Sequence, residues 1–393
     1  MKWAQYARWL AGKVKTKPSA DHCRVLEHMF PGYTVAELLA PYDPGKDDGD
    51  NSLIPSKPEE VATDRRQVFQ IGAMTLTAGL LDGVIHGPDQ LEQALHSTTV
   101  SEAKLSFLES AAEELGLRGI IVSPENVVHE TLLHLSSVRE LLKNHQPTRV
   151  QQRLARVAAR LCFAMGEHLF SLHQPELARR WWRSAVRAAE EAGDRNFADH
   201  AYAADAYFPT YSNNPRGVLA HVTPRLEQAT KATPSIAWMW CFAAMAHAAL
   251  GDRDAFERAI NAARGTLARC APASLSRSIY SFLPRRQAFY ETRGRADLGD
   301  VEGAGEAAAR ALAEFDATET TDPALTRLAY ATALVKAGEI EEACRLATMA
   351  ITCRPVPAYA VMVRAREFDA LVPRKAAAAQ EWRETLAGVP VSR

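Results

Sequence analysis

One stretch, ALTRLAYATALVKAGEIEEACRLATMAITCRPVP from Ala324 to Pro357, constrains what most of this chain can fold into. It reads as two short amphipathic helices joined by an Ala-Gly-Glu turn. Ala331, Ala343 and Ala350 fall where two antiparallel helices must approach closely. Gly338 lets the backbone reverse, and Pro355 stops the second helix. A hairpin of this size cannot bury its apolar face alone, so it needs stacked neighbours of the same kind.

Related turns recur upstream: LHQPELA at 172 to 178, SNNPRGV at 212 to 218, LGDRDAF at 250 to 256 and LGDVEGA at 298 to 304. Counted through to Ala337, the steps are 40, 38, 48 and 39 residues, the range of stacked helix pairs. The first unit places Gly166, Ala178 and Ala185 where the last places Ala331, Ala343 and Ala350. The second and third are poorer, because Val218 and Phe256 hold the small-residue position. The spacing of small residue, Gly, Ala, Ala and Pro resembles the tetratricopeptide repeat in a longer, degenerate form. The resemblance implies an all-α, right-handed solenoid of helical hairpins over 149–393.

Composition sets the outer bounds. With 393 residues, 47% hydrophobic and 24% charged, the chain is ordinary for a soluble globular protein. A formal net charge of -1 argues against whole-surface attraction to nucleic acid or membrane, so any such binding must be local. The six cysteines are scattered without CxxC pairing, which suits reduced thiols and a cytoplasmic setting. The longest apolar run, Ala237 to Leu250, is too short for a membrane span of about 20 residues and reads as a buried helix. Arg65, Arg66 and Phe69 stand ahead of an apolar stretch like a twin-arginine export signal. That stretch begins some sixty residues into the chain and reads better as an amphipathic helix.

Residues 1–40 read as three short helices. The run RWLAGKVKTKPSADHCRVLEHMFPGYTVAELLAP resembles the last three helices of a Cro/C1-type (XRE-like) helix-turn-helix domain. Trp9, Gly12, Lys13, Lys15, Pro18, Val25, Leu26 and the VAELL of Val35 to Leu39 carry that likeness. The family's first two helices have no counterpart after Met1, so the motif is expected to be N-terminally truncated and its specific DNA binding weak. The resemblance implies a DNA-facing strip in which Gln5 and Arg8 reach bases or phosphates and Lys13 and Lys15 attract the backbone. Lys2, Arg8, Lys13, Lys15 and Lys17 all precede the first acid, Asp21, and the bland alternative is that these five cations are a solvated face. A Pro-, Gly- and Asp-rich linker follows at 41–62, without the ligand order of a calcium loop. Helices are expected at Asp64 to Val84, Leu91 to Leu95, Ser101 to Leu115 and Asn126 to Asn144, making 63–148 a helical lead-in to the array. Gly119 to Val122 stays open between a strand and a helix connection.

Motifs for catalysis fail on context. In HETLLH the two histidines, His129 and His134, stand five apart, about 140° around a helix, where zinc needs them four apart. Gly303, Gly305 and Ala308 match a dinucleotide fingerprint with no strand before it. With no Walker A sequence, GxSxG elbow or clustered ligands, neither an enzyme nor a cofactor nor a metal is expected. Tetratricopeptide-like arrays bind through the first helix of each pair, and that frame selects Arg160, Phe163, Glu167 and Phe170, then His200, Tyr207 and Thr210. Further along it selects Trp238, Cys241 and Met245, then Arg286, Phe289 and Arg293. Aromatics beside arginines suit a peptide effector, with an acidic or C-terminal carboxylate held near Arg286, Arg293 and Tyr207. The alternative places Phe163, Trp238 and Phe289 in the core. The combination resembles large actinobacterial-type regulators in which the N-terminal domain binds DNA and the repeats sense a peptide, small ligand or protein. The expected partners are DNA, such an effector and a second copy of the chain, with no membrane. The rival expectation is an interaction scaffold whose DNA-binding domain has decayed.

Overall fold

The computed structural model describes residues 100–122 and 124–390, which lie within one compact unit and, among the described residues, are all-α with no strand. The N-terminal segment carrying Gln5, Arg8, Lys13 and Lys15, the linker at 41–62 and the helices expected at Asp64 to Val84 and Leu91 to Leu95 lie outside the described residues. The lead-in is α1 (Glu102–Arg118), capped by the Ser101 hydroxyl, and α2 (Pro124–Lys143). Between them Gly119 to Val122 forms turns. There follow α3 (Thr148–Ser171), α4 (Pro175–Glu191), α5 (Arg195–Asp205), α6 (Tyr207–Tyr211), α7 (Pro215–Glu227), α8 (Pro234–Ala249) and α9 (Arg253–Ala268). The chain ends in α10 (Pro284–Asp297), α11 (Val301–Glu314), α12 (Thr321–Ala337), α13 (Ile340–Ile351), α14 (Tyr359–Leu371) and α15 (Ala377–Gly388). No described helix is long and apolar enough to cross a membrane.

All five recurring turns join two helices, and the local chemistry explains why. Each has one residue in the left-handed region: His173 (φ 63°), Asn213 (51°), Gly251 (78°), Gly299 (75°) and Gly338 (88°). The next amide then reaches back five residues, as in Asp252 N–H to His247 O at 3.0 Å and Glu339 N–H to Leu334 O at 3.0 Å, satisfying carbonyls the helix end leaves open. Asn214, Asp252 and Asp300 go on to accept the first free amides of the following helix from Gly217, Ala255 and Gly303. A Cβ at Gly251 would meet nothing within 4 Å. Gly251→Ala is therefore expected to destabilise by about 1 to 2 kcal/mol from backbone conformation alone, with Gly251→Asn costing less. Equal denaturation midpoints for wild type and Gly251→Ala would contradict this.

Close approach is arranged by pairing small with large. A Cβ on Gly166 would overlap the Trp182 indole, so the glycine lets α4 lay its buried stripe of Ala178, Trp182, Ala185 and Ala189 against α3. Phe256, at the small-residue position of the third unit, is fully buried, and the compensation lies in the next helix, where Gly294 leaves room for its ring. Helix α8 is buried nearly all round, which explains the apolar run noted in the sequence.

The first helices of successive pairs pack in a row, α5 on α8, α8 on α10, α10 on α12 and α12 on α14, and α14 returns to touch α3. Tyr359 of α14 stands edge-on to Phe170 of α3 with ring centroids 5.2 Å apart. The long connection between α9 and α10 turns inward. Ile279 N–H donates to Gly116 O at 3.1 Å, Tyr280 Oη donates to Ala112 O at 2.9 Å, and His200 Nε2 bonds Ile279 O at 3.0 Å.

Candidate functional site

The inturned connection decides which of the expected binding residues remain accessible. Phe163 has no exposure and is enclosed by Phe197, His200 and Tyr280, with ring centroids 5.7, 4.8 and 6.0 Å away. Trp238 is likewise fully buried, stacked on Phe282 at 5.8 Å and donating from Nε1 to Tyr290 Oη at 2.8 Å. Both therefore stand in the core, on a face the chain covers with its own loop. Arg160 reaches outward to Glu113 of α1 at 2.9 Å.

Glu167, Tyr207, Arg286 and Phe289 come together as part of the lining of a cavity of about 130 Å³, and Phe289, like Phe163 and Trp238, is also buried in the core. It lies between α3, α6, α10, the start of α12 and the start of α14, and Ile279 and Ser281 of the inturned connection close one side. Arg293 goes elsewhere. It pairs with Asp297 at 3.0 Å and Glu367 at 3.2 Å and lines a separate pocket of about 40 Å³ beside Arg364 and Met245. The shared helical face of Arg286 and Arg293 thus serves two different pockets. The one-helix frame could not show this, because both pockets are built from α6, α10 and α14 together.

Within the larger cavity the two arginines of α10 stand beside acids, although the Nε of each makes no well-formed hydrogen bond. Arg286 donates from Nη2 to Tyr207 Oη at 2.8 Å, its Nε stands 3.2 Å from Asp322 Oδ2, and its guanidinium lies over the Trp238 ring at 5.1 Å. Arg285 pairs with Glu319 at 2.9 Å. Asp322 sits in the first turn of α12, so the amides there, which favour negative charge, already have an acid beside them.

Among the described residues Glu167 has no ion-pair partner. Its Oε1 is sealed from solvent and has no hydrogen-bond partner, although the side chain borders the cavity. Burial pushes its carboxyl up to about 7, against the pull of Arg286, and Asp322 adds to the rise. The Trp182 N–H lowers it slightly from nearby without making a well-formed hydrogen bond. Next to it, His168 is buried with an unpartnered Nε2, and burial pushes its imidazole down to about 4, so it is neutral near pH 7. Burial also raises Tyr207 well above its ordinary value and Tyr211 to about 12, so both remain phenols.

Chemically the cavity offers an uncompensated carboxyl, a neutral imidazole nitrogen and the rings of Phe170, Tyr207, Tyr211 and Tyr290. Asp322, His168 and the inturned connection were not singled out from the sequence. Asp322 carried a local signal, an acid in a first helical turn after two threonines, but nothing in that signal says what it faces. No group of three or more His, Cys, Asp or Glu side chains placed to hold a metal ion occurs among the described residues. Cys162, Cys241, Cys270, Cys344 and Cys353 are free thiols. Compared with known proteins, the chain matches no family model, no curated protein and no solved structure.

Proposed function

We propose that this chain is a cytoplasmic transcriptional regulator whose helical hairpins form a degenerate tetratricopeptide-like array that binds an effector in the cavity beside Glu167 and Arg286. Its N-terminal segment, through Gln5, Arg8, Lys13 and Lys15, contacts DNA. One observation carries the effector reading: a buried carboxyl oxygen left without a partner in a polar and aromatic cavity, a costly arrangement unless an occupant completes it. The five turns with left-handed residues at the spacing of helix pairs support the array. The inturned connection fills the inner face near Phe163 and Trp238, which favours a small ligand over an extended peptide. A second reading, a protein-interaction scaffold, is favoured by exposed Phe107, Leu117, Ile121, Leu132 and Leu133 on and beside α1 and α2.

Chromatin immunoprecipitation of the tagged chain in its host is expected to enrich discrete promoters. Glu167→Gln and Arg286→Leu are expected to change transcription from those promoters. Absence of enrichment would leave the scaffold. Enrichment and transcription both indifferent to the two substitutions would remove the effector role.

A further inference from the structure

Resting on the reading of this cavity as the effector site, we propose that its ligand is a small molecule bearing a protonated amine, which pairs with the Glu167 carboxylate among the surrounding aromatic rings.

Charge matching points to a cation. Of the three arginines that line the cavity, the two on α10 have acids of their own, Arg286 with Asp322 and Arg285 with Glu319, so a carboxylate entering beside Glu167 would have to break an existing pair, while Arg354 lines the cavity from the connection between α13 and α14. Glu167 has no such counterpart. The pull of Arg286 on it is outweighed by burial, and Asp322 works in the opposite sense. An ammonium group is the simplest occupant that supplies Oε1 with a donor and the carboxylate with its missing charge.

The rings agree with this. Phe170 and Tyr207 stack with centroids 5.1 Å apart, and Tyr211 stands 5.3 Å from Phe170. All three rings line the cavity and accommodate the apolar body that carries the amine. His168, next to Glu167 on α3, is neutral and unpartnered and can accept a further N–H.

Proton linkage gives the proposal a second readout. Binding an ammonium group requires Glu167 ionised, whereas burial holds its carboxyl near 7. Facing it are Arg286 on α10, Tyr207 on α6 and Asp322 on α12, with His168 beside it staying uncharged above about pH 5. Affinity for an amine therefore falls about tenfold from pH 8 to pH 6, and a proton is released on binding.

The test uses the full chain and calorimetric titration with phenethylamine and tyramine, beside 2-phenylethanol and phenylacetate as neutral and anionic counterparts of the same shape. The amines are expected to bind at least tenfold more tightly than either counterpart. Glu167→Gln, checked for cooperative melting at a temperature no lower than that of the wild type at pH 7, is expected to abolish that preference and the pH dependence together. Failure of both amines to bind, or equal amine affinity in Glu167→Gln, overturns the proposal. Binding of phenylacetate or 2-phenylethanol in preference to the amines also overturns it, while leaving the cavity as an effector site. A set of target promoters indifferent to Glu167→Gln and Arg286→Leu sinks the regulatory reading instead, even where the amines bind.

Discussion

Phe256→Ala is expected to destabilise the helical array by about 3 to 5 kcal/mol, because it empties a fully buried ring site between α9 and α10. Gly294→Ala acts from the other side of the same contact. A Cβ there overlaps the Phe256 ring, so overpacking costs about 1 to 3 kcal/mol. Combined, the two changes are expected to cost clearly less than their sum, since the new methyl enters space the lost ring has vacated. Urea denaturation of the four proteins in this cycle measures the coupling. Strict additivity would mean that the two residues do not share one packing site.

The second large effect is a dependence of stability on pH. Burial pushes His168 and His200 down to about 4, so both are held neutral in the fold and gain protons more readily when unfolded. Their contribution is complete above the ordinary histidine range and is lost as pH falls through 6.5 toward 4. Together they are worth about 5 kcal/mol by pH 4.5. Burial of His173, His221 and His247 works in the same direction. Glu167 has the opposite sign, because its folded carboxyl is raised to about 7. Its penalty is full above 7 and fades as pH falls toward 4.5, returning about half of what the two histidines lose. Melting of the wild type between pH 7 and 4.5 is therefore expected to show a partly compensated loss. In Glu167→Gln the protein starts more stable at pH 7 and loses roughly twice as much over the same window. An identical pH slope in the two proteins would show that Glu167 does not titrate as its burial requires.

How far these features were legible in the sequence follows the range of the interactions that make them. The turns could be found because a left-handed residue, a reaching-back amide and a capping Asn or Asp all lie within a few residues, as at Gly251 and Asp252. The face on which Glu167, Tyr207, Arg286 and Phe289 meet was accessible from repeat spacing, since a helix fixes which side chains share a side. Whether that face stays open is a long-range matter. Phe163 and Trp238 sit on it and are covered by Tyr280 and Phe282, from a connection whose path is set by bonds to Gly116, Ala112 and His200. The pairing of Phe256 with Gly294 was hidden for a related reason: Phe256 looks anomalous where a small residue is expected, and only the space left by Gly294 on the next helix makes it a normal contact.

The return of α14 to α3 has a consequence for the order of events during synthesis. Phe170 is made early, but Tyr359, which closes over it, lies about 190 residues further along the chain. At about 5 to 20 residues per second, roughly 10 to 40 s pass on the ribosome before that contact can form. Through that interval the aromatic wall around Phe170 and Tyr207 stands uncovered, with the rest of the array already able to stack beside it. The cavity is thus completed only when α14 is made, with α15 alone of the described helices still to follow, and until then its rings stand open to sticky encounters.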